Sequence, residues 1–271
     1  MANLKYEGRA IRAAWLLACC GMLLLVGCKL ASKRVQQQAA EKRLTGSWVC
    51  ANVLDEAAYT KSIKQLKNFP PYTELIFLQD SSKLIALNGQ VDMVTLSYTC
   101  SGSLLLVPDF YGNSVAQISM AGDSLLLFND DFSAQTWRYV KAADGVDSST
   151  DGSIPEVFPS LLNSVLVAGE YTVKNAEKVR RVVIHSNGNI SNIPDFTHYS
   201  LCYNGGCNSL SDENLVYISD GQQGDFYGWN MQGSTLTIYS LLVVNAPDEI
   251  MTYRLDKPIL VLEKAGGNGG F

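Results

Sequence analysis

A chain of 271 residues with 21 basic and 26 acidic side chains is long enough for two small domains, each with its own core. The charge is uneven: positions 44–271 hold 13 Lys and Arg against 24 Asp and Glu, whereas 29–43 hold five against one. An acidic body of this kind argues against nucleic acid as a partner. Frequent Tyr, Thr, Val and Leu between recurring turn residues favour β structure.

The chain opens with Lys5, Arg9 and Arg12, followed by an apolar stretch from Ile11 to Val26. That stretch is too short for a relaxed membrane span and has the order of an export signal. It ends in Leu23-Leu24-Leu25-Val26-Gly27-Cys28. This run resembles the bacterial lipobox, in which the cysteine thiol takes a diacylglyceryl group and the preceding bond is cut. The resemblance implies a signal peptide over 1–27 and a mature protein that begins at lipidated Cys28, held to membrane lipid by its acyl anchor. Lys29 follows, not the Asp that retains lipoproteins at the inner membrane of enteric-type bacteria, so the outer membrane is the implied address. Residues 28–43 read as a lipidated basic tether. Its charge suits anionic head groups or serves as a solvated linker.

Cys19 and Cys20 leave with the signal, and four cysteines remain beyond Cys28: Cys50, Cys100, Cys202 and Cys207. An even number in an exported chain reads as two disulfides. Cys202 and Cys207 flank the turn-prone Tyr203-Asn204-Gly205-Gly206, which leaves Cys50 for Cys100. With only His185 and His198 as histidines, no metal site is expected.

The body divides into two β blocks, 44–141 and 166–264, joined by a Ser-, Asp-, Gly- and Pro-rich linker over 142–165 and followed by a flexible tail, 265–271. The first block opens Gly46-Ser47-Trp48 and the second Gly169-Glu170-Tyr171. Both carry a Met-x-Gly hairpin late on, and they close on Trp137-Arg138-Tyr139 and Tyr253-Arg254-Leu255. The matched order reads as an internal repeat. Each block parses into about eight strands. In the first these lie near 47–53, 73–79, 83–87, 92–98, 103–107, 115–120, 124–128 and 135–140. A short amphipathic helix is expected from Asp55 to Asn68, stopped by Pro70-Pro71. In the second block they lie near 169–173, 181–185, 189–192, 199–203, 215–219, 225–231, 235–241 and 250–255, with one more expected over 259–262.

The opening Gly-x-Trp and the last-strand Arg resemble the lipocalin, or calycin, signature. The resemblance implies an all-β fold of two tandem small antiparallel eight-stranded barrels. In each, an aromatic ring at the floor would lie under a guanidinium: Trp48 under Arg138, and Tyr171 under Arg254. Two other families are similar in outline: copper-stress lipoproteins with a small barrel, and small outer-membrane barrels that inhibit proteases or lysozyme. The first carry a Cys-x-x-Cys that the spacing of Cys202 and Cys207 does not match.

No Gly-x-Ser-x-Gly, Gly-rich phosphate loop or His-Glu-x-x-His occurs, so no enzyme and no cofactor are expected. Asp130-Asp131 and Asp248-Glu249 read as charged hairpin tips. The runs containing Phe110 and Tyr111, and Phe226, Tyr227 and Trp229, are the candidate binding surface, because exposed aromatics among polar residues hold protein or glycan partners. The expectation is a membrane-anchored, non-enzymatic envelope lipoprotein that binds a protein or envelope component through loops or the inter-domain groove. The alternatives are a carrier of a small lipophilic ligand within a barrel and a hydrolase inhibitor.

Overall fold

A computed structural model of the chain describes residues 42–265, apart from 67–68, 80, 89–92, 102, 113–114, 129–134, 144–155, 176–180, 204–208 and 245–251. The expected signal peptide, Cys28 and nearly all of the tether lie outside the described residues. So do Cys207, both acidic hairpin tips and the tail beyond 265. Residues 46–271 belong to one compact unit.

Apolar and polar residues alternate along most strands, as a barrel with a packed interior demands. The first nine strands are β1 (Gly46–Cys50), β2 (Glu74–Phe77), β3 (Lys83–Leu87), β4 (Met93–Ser97), β5 (Thr99–Ser101), β6 (Leu104–Pro108), β7 (Val115–Ala121), β8 (Ser124–Phe128) and β9 (Trp137–Ala143). They form one antiparallel sheet in the order β4-β3-β2-β1-β9-β8-β7-β6-β5. The first strand pairs with the last, and β4 returns beside β6, so the sheet is a nearly closed meander barrel. Nine strands replace the expected eight because the chain bends at Tyr98, the end of the expected strand 92–98, and continues as β5. The part before the bend pairs with β3 and the part after it with β6. The Tyr98 ring is buried against Phe77, with centroids 5.3 Å apart, and its backbone N–H donates to Ser82.

The second barrel has β10 (Gly169–Val173), β11 (Arg181–Ile184), β12 (Ile190–Ser191), β13 (His198–Leu201), β14 (Leu215–Ser219), β15 (Gly224–Gln232), β16 (Thr235–Val244) and β17 (Thr252–Lys264). Their order is β12-β11-β10-β17-β16-β15-β14-β13, again with first strand against last. Here the seam is bridged at Asn189 and His198, where the Tyr199 N–H reaches the Gly188 carbonyl at 2.7 Å. Gly188, at φ +89°, is needed there: a Cβ would sit 2.9 Å from the Tyr199 oxygen. The expected separate strands 250–255 and 259–262 are one strand of 13 residues.

Two helices accompany the sheets. Helix α1 (Ala51–Thr60) follows β1 directly and buries Ala51, Val53 and Ala57. It starts and ends earlier than the expected Asp55–Asn68, because Lys61 turns left-handed at φ 53° and closes the last turn onto the Ala57 carbonyl. Helix α2 (Phe158–Leu166) lies within the segment expected to be a linker. It buries Phe158, Leu162 and Leu166, spaced i, i+4, i+8, and starts with Pro159, whose missing N–H costs nothing in a first turn. The other linker residues, 144–155, lie outside the described residues.

Strands β1, β2 and β3 are buried on both faces, unlike the alternating β6 to β8. Leu75 and Phe77 face one side of β2; Glu74 and Ile76 face the other, and both are fully buried. The start of helix α2 is bonded to this doubly covered patch at Glu74.

The seam of the first barrel depends on Gly46, which sits at φ +118° with its Cβ position 2.2 Å from the Ala143 carbonyl oxygen. Gly46→Ala is expected to destabilise the chain by about 2 kcal/mol or more, because a left-handed backbone and a backbone clash coincide. Chemical denaturation of the variant checks this.

Candidate functional site

The aromatic residues singled out above divide between core and surface. Phe110 is fully buried, edge-on to Tyr72 at 5.0 Å. Trp229 is buried in the second barrel, where its Nε1–H donates to the Leu215 carbonyl at 3.2 Å. Neither belongs to a surface. Tyr111 is exposed, and Phe226 and Tyr227 are half-buried. The two neighbours point opposite ways, as adjacent strand residues must. Tyr227 pairs with buried Val216 and packs on Phe196 at the barrel interior. Phe226 pairs with Tyr217 on the outer face, ring centroids 5.5 Å apart, and lies 6.2 Å from the Tyr253 ring.

Tyr217, Phe226 and Tyr253 therefore form an outer aromatic row. Tyr217 lies across the backbone of Gly224, whose Cβ position is 2.4 Å from the ring. Only glycine lets the ring lie that low. The β16–β17 hairpin extends past β15 and exposes Leu242 and Val243, 53% and 51% accessible on opposite faces. Beside the row lies an open recess of about 400 Å³, bordered by Ser211, Asp212, Glu213, Tyr253 and Arg254. Tyr217, Tyr253, Leu242 and Val243 were missed in the sequence because each sits in an ordinary strand pattern. Only the cross-strand register unites them.

Trp48 and Tyr171 are both buried, and the last-strand cation paired with each in register is a lysine rather than the expected arginine. Lys141 Nζ lies 5.9 Å from the Trp48 ring centre, and the two residues are directly paired in register. Arg138 is on the other face. Trp137 and Tyr139 point inward, Lys141 shares their parity and Arg138 does not. Arg138 instead holds helix α1: its guanidinium pairs with Asp55 at 2.7 Å and its N–H donates to Asn52 Oδ1 at 2.6 Å. In the second barrel Tyr171 pairs with Lys264, ten positions beyond Arg254. At about 3.3 Å per residue that separation takes Arg254 out of reach of Tyr171. The Tyr171 hydroxyl donates to the Val167 carbonyl, and burial pushes its pKa up to about 12. Each lysine stem lies against the opening glycine: a Cβ on Gly46 or Gly169 would be 3.2 or 2.8 Å from the Cε of Lys141 or Lys264.

The expected Cys50–Cys100 bridge does not exist. Cys50 carries a free, fully buried thiol at the end of β1, and burial pushes its pKa up to about 11. Cys100 is on β5, five strands from β1 along the sheet. Cys202 is disulfide-bonded, and its expected partner Cys207 lies outside the described residues. His185 contacts Ser191, and His198 contacts Thr197; both are exposed. Among the described residues no group of His, Cys, Asp or Glu is arranged to hold a metal ion, and no helix is long and apolar enough to cross a membrane.

The second barrel's interior is lined by Ile184, Leu201, Trp229, Leu236 and other apolar side chains, around a cavity of about 30 Å³. That is room for little more than a water molecule, well below the several hundred Å³ of a ligand pocket.

The junction between the barrels carries a set of long-range polar bonds outside the sheets. Helix α2 has no capping side chain of its own at Val157. Glu74 of the first barrel supplies the cap: its Oε2 accepts the N–H groups of Val157 and Phe158, both at 2.9 Å, and its Oε1 accepts the Ser47 hydroxyl. At the other end Lys61 Nζ donates to the Val165 carbonyl at 2.8 Å. An acid at the helix N-terminus and a base at its C-terminus both oppose the helix dipole. Reciprocally, Asn214 of the second barrel accepts three donors from the loop after α1: Ser62 Oγ, Ile63 N and Lys64 N, at 2.9–3.0 Å.

No protein-family model, curated protein or solved structure matches this chain.

Three outcomes follow from this geometry. Asn214→Ala leaves the Ile63 and Lys64 N–H groups without their acceptor and is expected to cost about 2–5 kcal/mol. Arg138→Ala breaks a solvent-screened pair and should cost less than about 1 kcal/mol. Urea unfolding of both variants separates them. Cys50 should resist iodoacetamide in the folded chain at neutral pH and react fully in denaturant. Peptide mass mapping reads this directly.

Proposed function

We propose that this chain is a bacterial outer-membrane lipoprotein. It is anchored through Cys28, carries lipocalin-like tandem barrels and works by binding a protein partner, without catalysis. The basic, apolar, Gly-Cys order of the first 28 residues supports the anchor. The acidic body and the oxidised Cys202 suit the periplasm or cell surface.

The observation that carries the binding reading is the outer face of the second barrel. The row Tyr217, Phe226 and Tyr253 adjoins exposed Leu242 and Val243 and a recess bearing Arg254. Tyr and Arg around an apolar centre are the residue types on which protein–protein affinity concentrates. The nearly filled second barrel favours this outer surface over internal carriage. This surface replaces the inter-domain groove as the binding region, since the junction is occupied by helices and their caps.

Cys28→Ser is expected to abolish palmitate labelling and leave an uncleaved precursor; unchanged labelling contradicts the anchor. A photo-crosslinking residue at position 217 or 253 should give a discrete adduct in intact envelopes. The same residue at position 59, where Tyr59 is 90% exposed on α1, should give none. Equal yields at all three positions contradict the surface assignment.

A further inference from the structure

Glu74 is a carboxylate in the wrong solvent. It is 1% exposed, on an apolar strand, and its cross-strand neighbours are Val49 on β1 and Leu87 on β3. The groups that reach it are Ser47 from β1, and the N–H groups of Val157 and Phe158 at the start of α2. Glu156, beside the helix start, is a second acid whose charge disfavours ionisation of Glu74, against the partial positive charge of the helix N-terminus. Among the described residues no cation is paired with it; Lys61, which holds the same helix, is bonded at the helix's far end.

The bonding pattern admits a proton with every partner kept, although each bond to the carboxyl group weakens. Both helix N–H groups go to Oε2, which keeps its lone pairs when Oε1 is protonated. Oε1 faces only the Ser47 hydroxyl, which serves as donor or acceptor. A proton on Oε1 therefore reverses one hydrogen bond and removes a buried negative charge.

We propose that Glu74 is a proton-operated latch between the two barrels, seating helix α2 more firmly when protonated than when ionised. Burial raises the Glu74 pKa above the ordinary carboxylate value, the nearby Glu156 charge adds to the rise, and the three hydrogen bonds offset part of it. The folded state then holds the proton more tightly than the unfolded chain does. Its contribution is full at low pH and is lost as pH rises from the ordinary value through the raised one. This is the reverse of an ion-paired surface carboxylate. A protein at the cell envelope meets such pH changes directly, so the rigidity of the barrel junction would follow the acidity outside.

The test is hydrogen exchange of the full-length chain in detergent solution, between about pH 4 and pH 8, read as protection factors that correct for intrinsic exchange. Protection of the Val157 and Phe158 amides is expected to fall by up to about ten-fold for each pH unit between the unfolded and folded pKa values of Glu74. In Glu74→Gln, whose neutral amide keeps an oxygen for the helix and a donor for Ser47, protection should stay high and flat. Glu156→Gln should keep the fall but move its midpoint to lower pH, because removing the neighbouring negative charge eases ionisation of Glu74; a midpoint moved to higher pH contradicts the latch. Identical profiles in wild type and Glu74→Gln overturn it, as does protection that rises with pH in the wild type alone.

Discussion

A helix of nine residues leaves most of its terminal N–H and C=O groups without internal partners. Helix α2 cannot meet that need from its own sequence, because Val157 offers no side-chain acceptor and Pro159 no N–H. The first barrel meets it at both ends, with Glu74 at the start and Lys61 near the finish. Asn214 returns the service to the loop after α1. The polar ends thereby fix the position at which the apolar stripe of α2 is buried. The consequence is mechanical. Residues 157–166, at the end of the segment between the barrels, are held by the first barrel and are not a free hinge.

Within each barrel the governing constraint is parity. A strand has two faces, so a residue one step along points away from its neighbour. That rule decides which last-strand cation reaches the Trp48 ring. Lys141 shares the inward face with Trp137 and Tyr139, and Arg138 is left to hold helix α1. The same relation recurs in the second barrel between Tyr171 and Lys264. Glycine, aromatic and lysine stand in the same arrangement in both barrels. The two sheets also share a meander topology in which first strand meets last.

Most strands were legible because alternation and turn residues are local signals. Trp48 and Tyr171 were singled out through the resemblance of the opening Gly-x-aromatic to the lipocalin signature, and both are buried. Their cationic partners were not legible, since Arg138 and Lys141 lie in one strand and only the register with β1 separates them. Arg254 was misplaced because the last strand runs on unbroken to Lys264. Helix α2 was hidden in a segment whose Asp, Ser and Pro suggested a linker, although Phe158, Leu162 and Leu166 carry its helical spacing. Glu74 left one trace, an acid at the head of the apolar run Glu74-Leu75-Ile76-Phe77. Nothing local says that its partner lies more than eighty residues away. Three of the five aromatic candidates were misread in the same manner: Phe110 and Trp229 are buried, and Tyr227 faces the interior.

The central claim is that the clamped helix makes the two barrels one cooperative structure. Differential scanning calorimetry of the full-length chain tests it most directly. The account predicts a single transition whose calorimetric and van't Hoff enthalpies agree. Two resolved transitions, each with the enthalpy of one barrel, would show that the barrels unfold independently and that the contacts around α2 do not bind them together.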